Sequence, residues 1–321
     1  MRKSLYINPG VAAVPARGAT SGAIVGGMSR KPDGEASVPP PEPPQGVGKT
    51  ALGVARVRAQ ESQREDRLFE DPYAQAFVDA APGAFPEEPT TGEQLAALGP
   101  MASLGAVFYA HGVIRTRFFD DYLTAATTAG CSQVVLLAAG LDTRAFRLPW
   151  PQRTRVLEVD LPDVLAFKDT VLAARGAVPR CARTTVPADL RAGWTAALVE
   201  AGFDRAAPTA WLAEGLLIYL SAAEAELLLH GISELSAPGS QLAFEHSPMA
   251  AAALTDQARQ MPAMQQYTKL WKGGLSDDAP RWLTSHGWQP KLHELAALAA
   301  TYQRPISGQA RGGFLTAIRL P

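Results

Sequence analysis

From residue 133 onward, short apolar runs recur at spacings that a helix-length crossover fills, and this alternation constrains the fold more than any other feature. The runs are QVVLLA at 133–138, RVLEV at 155–159, RTTVP at 183–187, AWLAE at 210–214 and QLAFE at 241–245. Strands separated by helix-length segments are joined by crossovers, which lay them parallel in one sheet with helices on both faces. The chain therefore reads as an α/β protein. QPKLHEL at 289–295 and GFLTAIRL at 313–320 suggest two later strands, for seven in all.

Upstream the periodicity is helical. Leu52, Val54, Ala55 and Val57, then Leu68, Phe69 and Phe77, mark helices over 50–80 that Pro72, after Asp71, divides in two. Residues 101–129 read as a further helix, with Val107, Phe108, Val113, Ile114, Phe118, Tyr122 and Leu123 as its buried candidates. Residues 1–48 hold 8 Pro and 8 Gly with Tyr6 as the only aromatic, too little apolar surface to offset the entropy of ordering, so a disordered tail is expected. The expected organisation is then a tail over 1–48 and one domain over 49–321. Within it lie a helical lid (49–130), a cofactor-binding core (131–246), a substrate cover (247–288) and C-terminal strands (289–321).

Composition excludes several classes. With 30 basic and 31 acidic residues the net charge is -1, so no global field favours a nucleic-acid backbone or an anionic membrane. Cys131 and Cys181 sit in or beside apolar runs and read as reduced thiols. Pro9, Gly10 and Pro15 interrupt the apolar core that a signal peptide needs, and no run is long enough to span a bilayer, which points to the cytoplasm. The five histidines lack metal-ligand spacing, so no metal is expected. Nothing in the sequence sets an oligomeric state.

The chemistry concentrates where QVVLLA runs into AGLDTR. Ligands of α/β sheets bind beyond the carboxyl ends of the strands, and this is the first such junction. Asp160 ends the next strand twenty residues after Gly140, where an acid can accept from ribose hydroxyls. A dinucleotide would need several glycines at this turn, whereas the turn offers Gly140 and then Asp142, whose charge repels a diphosphate and attracts an ammonium. The pair favours S-adenosyl-L-methionine over NAD.

The runs VVLLAAGLDTRAFRLPWP, VLEVDLPDVLAFK, VPADLR and PTAWLAEGLLIYL resemble the leucine carboxyl methyltransferase family, in its bacterial branch of tetracenomycin-type polyketide O-methyltransferases. The resemblance spans about 50–320. It implies a Rossmann-like, seven-stranded class I methyltransferase sheet under an N-terminal helical lid. It further implies an O-methyltransferase that modifies a carboxyl or acidic hydroxyl group of a small hydrophobic metabolite. Matching positions place the glycine loop at Ala138, Gly140 and Asp142, the ribose acid at Asp160, the adenine contacts at Asp189 and Leu190, and a pocket glutamate at Glu214 with Tyr219 beyond it. Arg58 matches the family's N-terminal basic residue for the methionine carboxylate, with Arg56 and Arg115 as alternatives. The family has Gly where this chain has Ala138, a departure that crowds the cofactor unless φ there is negative.

His246 follows the strand QLAFE and His111 lies on the lid helix. Each is a candidate base or substrate-orienting group, set against ordinary packing. His230 reads as packed or surface, Arg144 as a brace for the loop, and Ser221 with Glu224 as a capping box. Met249, Met261, Met264, Tyr267, Trp271 and Trp282 offer a flat apolar lining for a substrate, or plain helix packing. A cofactor-binding protein that does not transfer methyl, or a non-catalytic binding protein of the same fold, stands as the alternative function.

Overall fold

The computed structural model describes residues 43, 48–85, 100–246, 268–275, 278–306 and 312–321. All fall in the unit Pro40–Pro321. The expected tail over 1–48 lies almost wholly outside the described residues. So do Met249, Met261, Met264 and Tyr267 of the expected cover.

The lid region gives α1 (Gly48–Ser62), α2 (Ala74–Asp79) and the long α3 (Pro100–Thr128). Next come β1 (Gln133–Leu137), the single turn α4 (Arg144–Arg147), β2 (Arg155–Asp160), α5 (Pro162–Ala174), β3 (Ala182–Pro187) and α6 (Trp194–Glu200). After these run β4 (Thr209–Ala213), a 3-10 turn (Leu217–Tyr219), α7 (Ala222–Leu235) and β5 (Gln241–His246). The chain ends with α8 (Ala279–Ser285), β6 (Trp288–Glu294), α9 (Leu295–Thr301) and β7 (Gly313–Arg319).

The seven strands form one sheet in the order β3-β2-β1-β4-β5-β7-β6. The first five run parallel, while β7 is antiparallel to both β5 and β6. All five residues of β1 and of β4 are buried, because a parallel sheet has helices on both faces and its strands alternate between two cores. Val134 and Leu136 face one core with Phe118, Phe119 and Phe314; Val135 and Leu137 face the other with Trp211 and Phe244. Pro290 is accommodated because β6 is an edge strand. Ser221 caps α7 with Glu224 in the expected reciprocal box.

One expected core residue is misplaced. Phe108 is 40% exposed, whereas Val113, Ile114 and Leu123 on the same helix are fully buried. The apolar stripe of α3 meets the sheet only from about Val113 onward.

The order reverses between β1, whose chain continues outward to β2 and β3, and β4, which starts the other half. This switch point splays the connecting segments apart and leaves a crevice at the carboxyl ends of the strands.

Candidate functional site

A cavity of about 440 Å³ occupies that crevice. Its floor is the segment 136–142, its sides are Asp160 at the end of β2, Asp189 and Leu190 beyond β3, and Glu214 beyond β4, and α1 contributes Ala51, Val54 and Arg58. Its size lies within the range of small-molecule sites.

The floor is a sharply turned backbone. Ala138 has φ 51° and Gly140 φ 48°, both left-handed. Gly140 suits this conformation, and a Cβ there would lie 3.2 Å from the Ala51 Cβ of α1. Ala138 does not suit it: a left-handed alanine costs about 1–2 kcal/mol. The favourable case for the family's missing glycine, a negative φ, is therefore not met.

Asp160 ties the turn to the next strand. Its Oδ2 accepts the Gly140 amide at 2.6 Å and its Oδ1 accepts the Leu161 amide at 2.6 Å. A carboxylate offers about four acceptor positions, so each oxygen keeps one for a ligand. Burial pushes this carboxyl up, against the pull of the two amides.

Asp142 is braced as well as placed. Its carboxylate accepts the Arg144 amide at 2.6 Å and ion-pairs with the Arg144 guanidinium, so the anion that lines the cavity is fixed in position by its neighbour. Burial would raise its pKa, but Arg144, with Lys168 and Arg147 behind it, holds it down to about 2. Arg144 is the brace expected, and more. Its buried side chain also donates to Asp120 Oδ1 and Glu214 Oε2, each at 2.7 Å.

Glu214 is held from two sides. Arg115 Nε lies 2.8 Å from its Oε1, a charge contact bent too far to be a hydrogen bond. Burial favours its neutral form, yet Arg144 and Arg115 outweigh it and keep the carboxyl below the usual range. Arg115 Nη1 donates to Glu245 Oε1 at 2.7 Å, and Glu245 Oε2 accepts the Gly215 amide at 3.0 Å.

Arg58 lies in the cavity wall. Its Nε donates to Asp71 at 2.8 Å and its Nη2 to the Leu141 carbonyl at 2.6 Å, leaving Nη1 without a bond among the described residues. Arg56 instead stacks over the Phe85 ring and is not part of the cavity wall. Asp189 stands at the rim, where Arg191 pairs with both its oxygens and holds its pKa down. Tyr219, on the 3-10 turn, lines the wall beside Leu216 and Leu220.

The two histidines are corrections. Neither His111 nor His246 lines the cavity. The His111 ring tilts against Phe314 at 5.9 Å, and burial, with Arg115 nearby, lowers its pKa, so it is neutral. His246 is 6% exposed, and its backbone pairs in register with Gly313 of the antiparallel β7. His230, as expected of a surface group, packs on Trp282 and His286 away from the site.

Four charged residues of this network were missed: Asp71, Asp120, Arg147 and Glu245. Glu245 had a usable signal, since it lies at the carboxyl end of β5 much as Glu214 follows β4. Asp71, in the connection between α1 and α2, and Asp120, on α3, lie in the lid region, where the sequence shows only polar positions with nothing to mark their partners.

A mostly parallel sheet of this order, with an antiparallel β7, an acid at the end of its second strand and a glycine turn after its first, defines the class I methyltransferase fold. The leucine carboxyl methyltransferase model matches residues 51–233. A protein of Parafrankia sp. with the provisional name S-adenosyl-L-methionine-dependent methyltransferase is 51% identical over 277 residues, covering 85% of this chain and 87% of its own length. One of the same provisional name from Streptomyces coelicolor is 44% identical over 281 residues, covering 86% and 96%. Among solved structures, a DUF574 family protein from Streptomyces avermitilis shares the fold at a TM-score of 0.50 and 18% identity, covering 83% of this chain and 97% of its own. The chain belongs to the leucine carboxyl methyltransferase family. It is an S-adenosylmethionine-dependent methyltransferase.

Proposed function

We propose that this chain methylates oxygen, on the carboxyl or acidic hydroxyl group of a small hydrophobic, polyketide-like metabolite in the cytoplasm. One observation carries the reading. The half-buried acids of the cavity, Asp142 and Glu214, are held ionised and engaged by arginines, and the imidazoles His111 and His246 stand off the wall. Among the described residues, the wall thus supports an acceptor that arrives as an anion better than one needing a base. A carboxyl, with a pKa near ~4, meets that condition at neutral pH, and an acidic phenol meets it in part.

The residues present fit the cofactor. Asp160 keeps an acceptor position on each oxygen for the two ribose hydroxyls. Leu190, Leu161 and Val164 offer an apolar slot for adenine, with Asp189 at its edge for the amino group. The Arg58 guanidinium offers Nη1 to the methionine carboxylate. When bound, S-adenosylmethionine supplies an electrophilic methyl group on a sulfonium.

The protein's own contribution is placement. Glu214 and Asp142 present fixed negative charge to the cationic end of the ligand. Leu216, Tyr219, Leu220 and Leu270 line the wall and exclude water from the approach of an apolar acceptor. Holding two reactants in line removes about 7–11 kcal/mol of barrier, and no new charge has to be stabilised because anion and sulfonium neutralise each other. The α1–α3 region acts as the lid, since α1 supplies Arg58 and α3 supplies Arg115.

The experiment is S-adenosylhomocysteine release across a panel of hydrophobic acceptors. Carboxylic acids and acidic phenols are expected to turn over at neutral pH, the phenols rising with pH along their own ionisation. Turnover confined to amines or to unactivated alcohols would overturn the reading.

A further inference from the structure

Arg144 sits at the N-terminus of α4 with its side chain 3% exposed, and it gathers acids from three separate elements. Nε donates to Asp120 of α3 at 2.7 Å. Nη1 serves Asp142 of the glycine turn and, at 2.7 Å, Glu214 beyond β4. Nη2 reaches the Thr116 carbonyl at 3.4 Å. Two of the three acids line the cofactor cavity, whereas Arg144 itself does not.

The arrangement is not one of mutual neutralisation alone. Asp120 is already held by both terminal nitrogens of Arg147, at 2.6 and 2.7 Å, and Glu214 already has Arg115. What Arg144 adds is a single planar donor that fixes Asp142 and Glu214 on one nitrogen. Without it two carboxylates from different segments would face each other across a half-buried gap, and like charges so placed share a proton.

We propose that Arg144 is the positioning residue for the cofactor's cationic end, holding Asp142 and Glu214 as a rigid pair of anions and making cofactor affinity insensitive to mild acid. The effect passes through the two acids, because Arg144 has no face on the cavity. Other charged groups around the pair are fixed. Lys168 and Arg147 stand behind Asp142, while Arg115, Glu245 and His111, whose pKa burial lowers, surround Glu214. Asp160 is tied to the Gly140 and Leu161 amides.

The test is S-adenosylmethionine affinity by calorimetry on the full chain, from about pH 5 to about pH 7, the range just above ordinary carboxyl titration. Wild type is expected to vary by no more than about twofold. Arg144→Gln is expected to weaken binding and to acquire an acid limb, losing about a further tenfold between neutral and acid pH as the pair takes up a proton. Arg144→Lys keeps the charge but not the fork, so it is expected to bind more weakly than wild type with the flat profile restored. The nearby histidines are common to all three proteins, so the difference between profiles reports Arg144. A flat, uniformly weakened profile in Arg144→Gln would reduce the residue to a structural brace and overturn the proposal. Should that variant not fold, a tenfold acid loss in wild type, or wild-type affinity in Arg144→Lys, overturns it equally.

Discussion

The Gly140 amide donates to Asp160 Oδ2 at 2.6 Å, locking the glycine turn after β1 to the end of β2. The same carboxylate that shapes the turn thereby faces the cavity. The turn itself is tight: a Cβ on Gly140 would lie 3.2 Å from Ala51 of α1, at a φ of 48° that side chains rarely adopt. Gly140→Ala is therefore expected to lose about 1–2 kcal/mol of stability and to displace α1 from the cavity wall. Thermal unfolding and cofactor titration check both, and unchanged values in each would refute the strain.

Ala138 makes the opposite prediction. Its φ of 51° places a methyl-bearing residue where the family has glycine. Ala138→Gly relieves that strain while adding some unfolded-state freedom, for a net gain of about 0.5–1 kcal/mol in unfolding free energy. Cofactor affinity should rise or hold. A lower denaturation midpoint in the glycine variant would show that the alanine is well accommodated.

Asp142 links stability to pH. Its carboxyl is held at about 2, against an ordinary value of 3.8, once Arg144 outweighs the cost of burial. A depressed carboxyl contributes stability that is fully present above its unfolded pKa and is lost as pH falls through the folded value. Asp142→Asn should thus cost about 2–3 kcal/mol at neutral pH, with the gap to wild type about halved near pH 3. Denaturant unfolding at the two pH values measures it, and a gap that does not narrow would contradict the ion pair.

Beneath the sheet edge, Lys168 and Glu158 form a fully buried pair at 2.8 Å, which Arg183 supports from β3 at 2.6 Å. Lys168→Ala leaves Glu158 buried with one partner, at an expected cost of about 3–5 kcal/mol. Lys168→Met, tested by the same denaturation, should cost less than that if Arg183 alone can compensate the charge. Equal loss in both would assign the effect to charge rather than packing.

The sheet was legible in the sequence because its central strands are buried on both faces. QVVLL and TAWLA carry no polar interruption, and each strand lies within about a residue of its apolar run. Part of the cavity wall was legible at strand ends, where Gly140, Asp142 and Asp160 were read from the strand junctions, while Glu214 came from the family resemblance. The Arg144 network was not. Two of its three acids lie 24 and 70 residues away, on elements whose approach only the folded chain defines. The places of His111 and His246 were not legible either: a position on the lid helix or at the end of β5 does not fix what the ring packs against, and the His111 ring lies against Phe314.

The most direct measurement is calorimetric titration of S-adenosylmethionine into wild-type protein and Asp160→Ala. Wild type is expected to bind one equivalent, and the variant to lose at least about 100-fold in affinity, since two hydrogen bonds to a charged acceptor vanish together with the lock on the Gly140 turn. Equal affinity in the two proteins would place the cofactor elsewhere and contradict the assignment of this cavity.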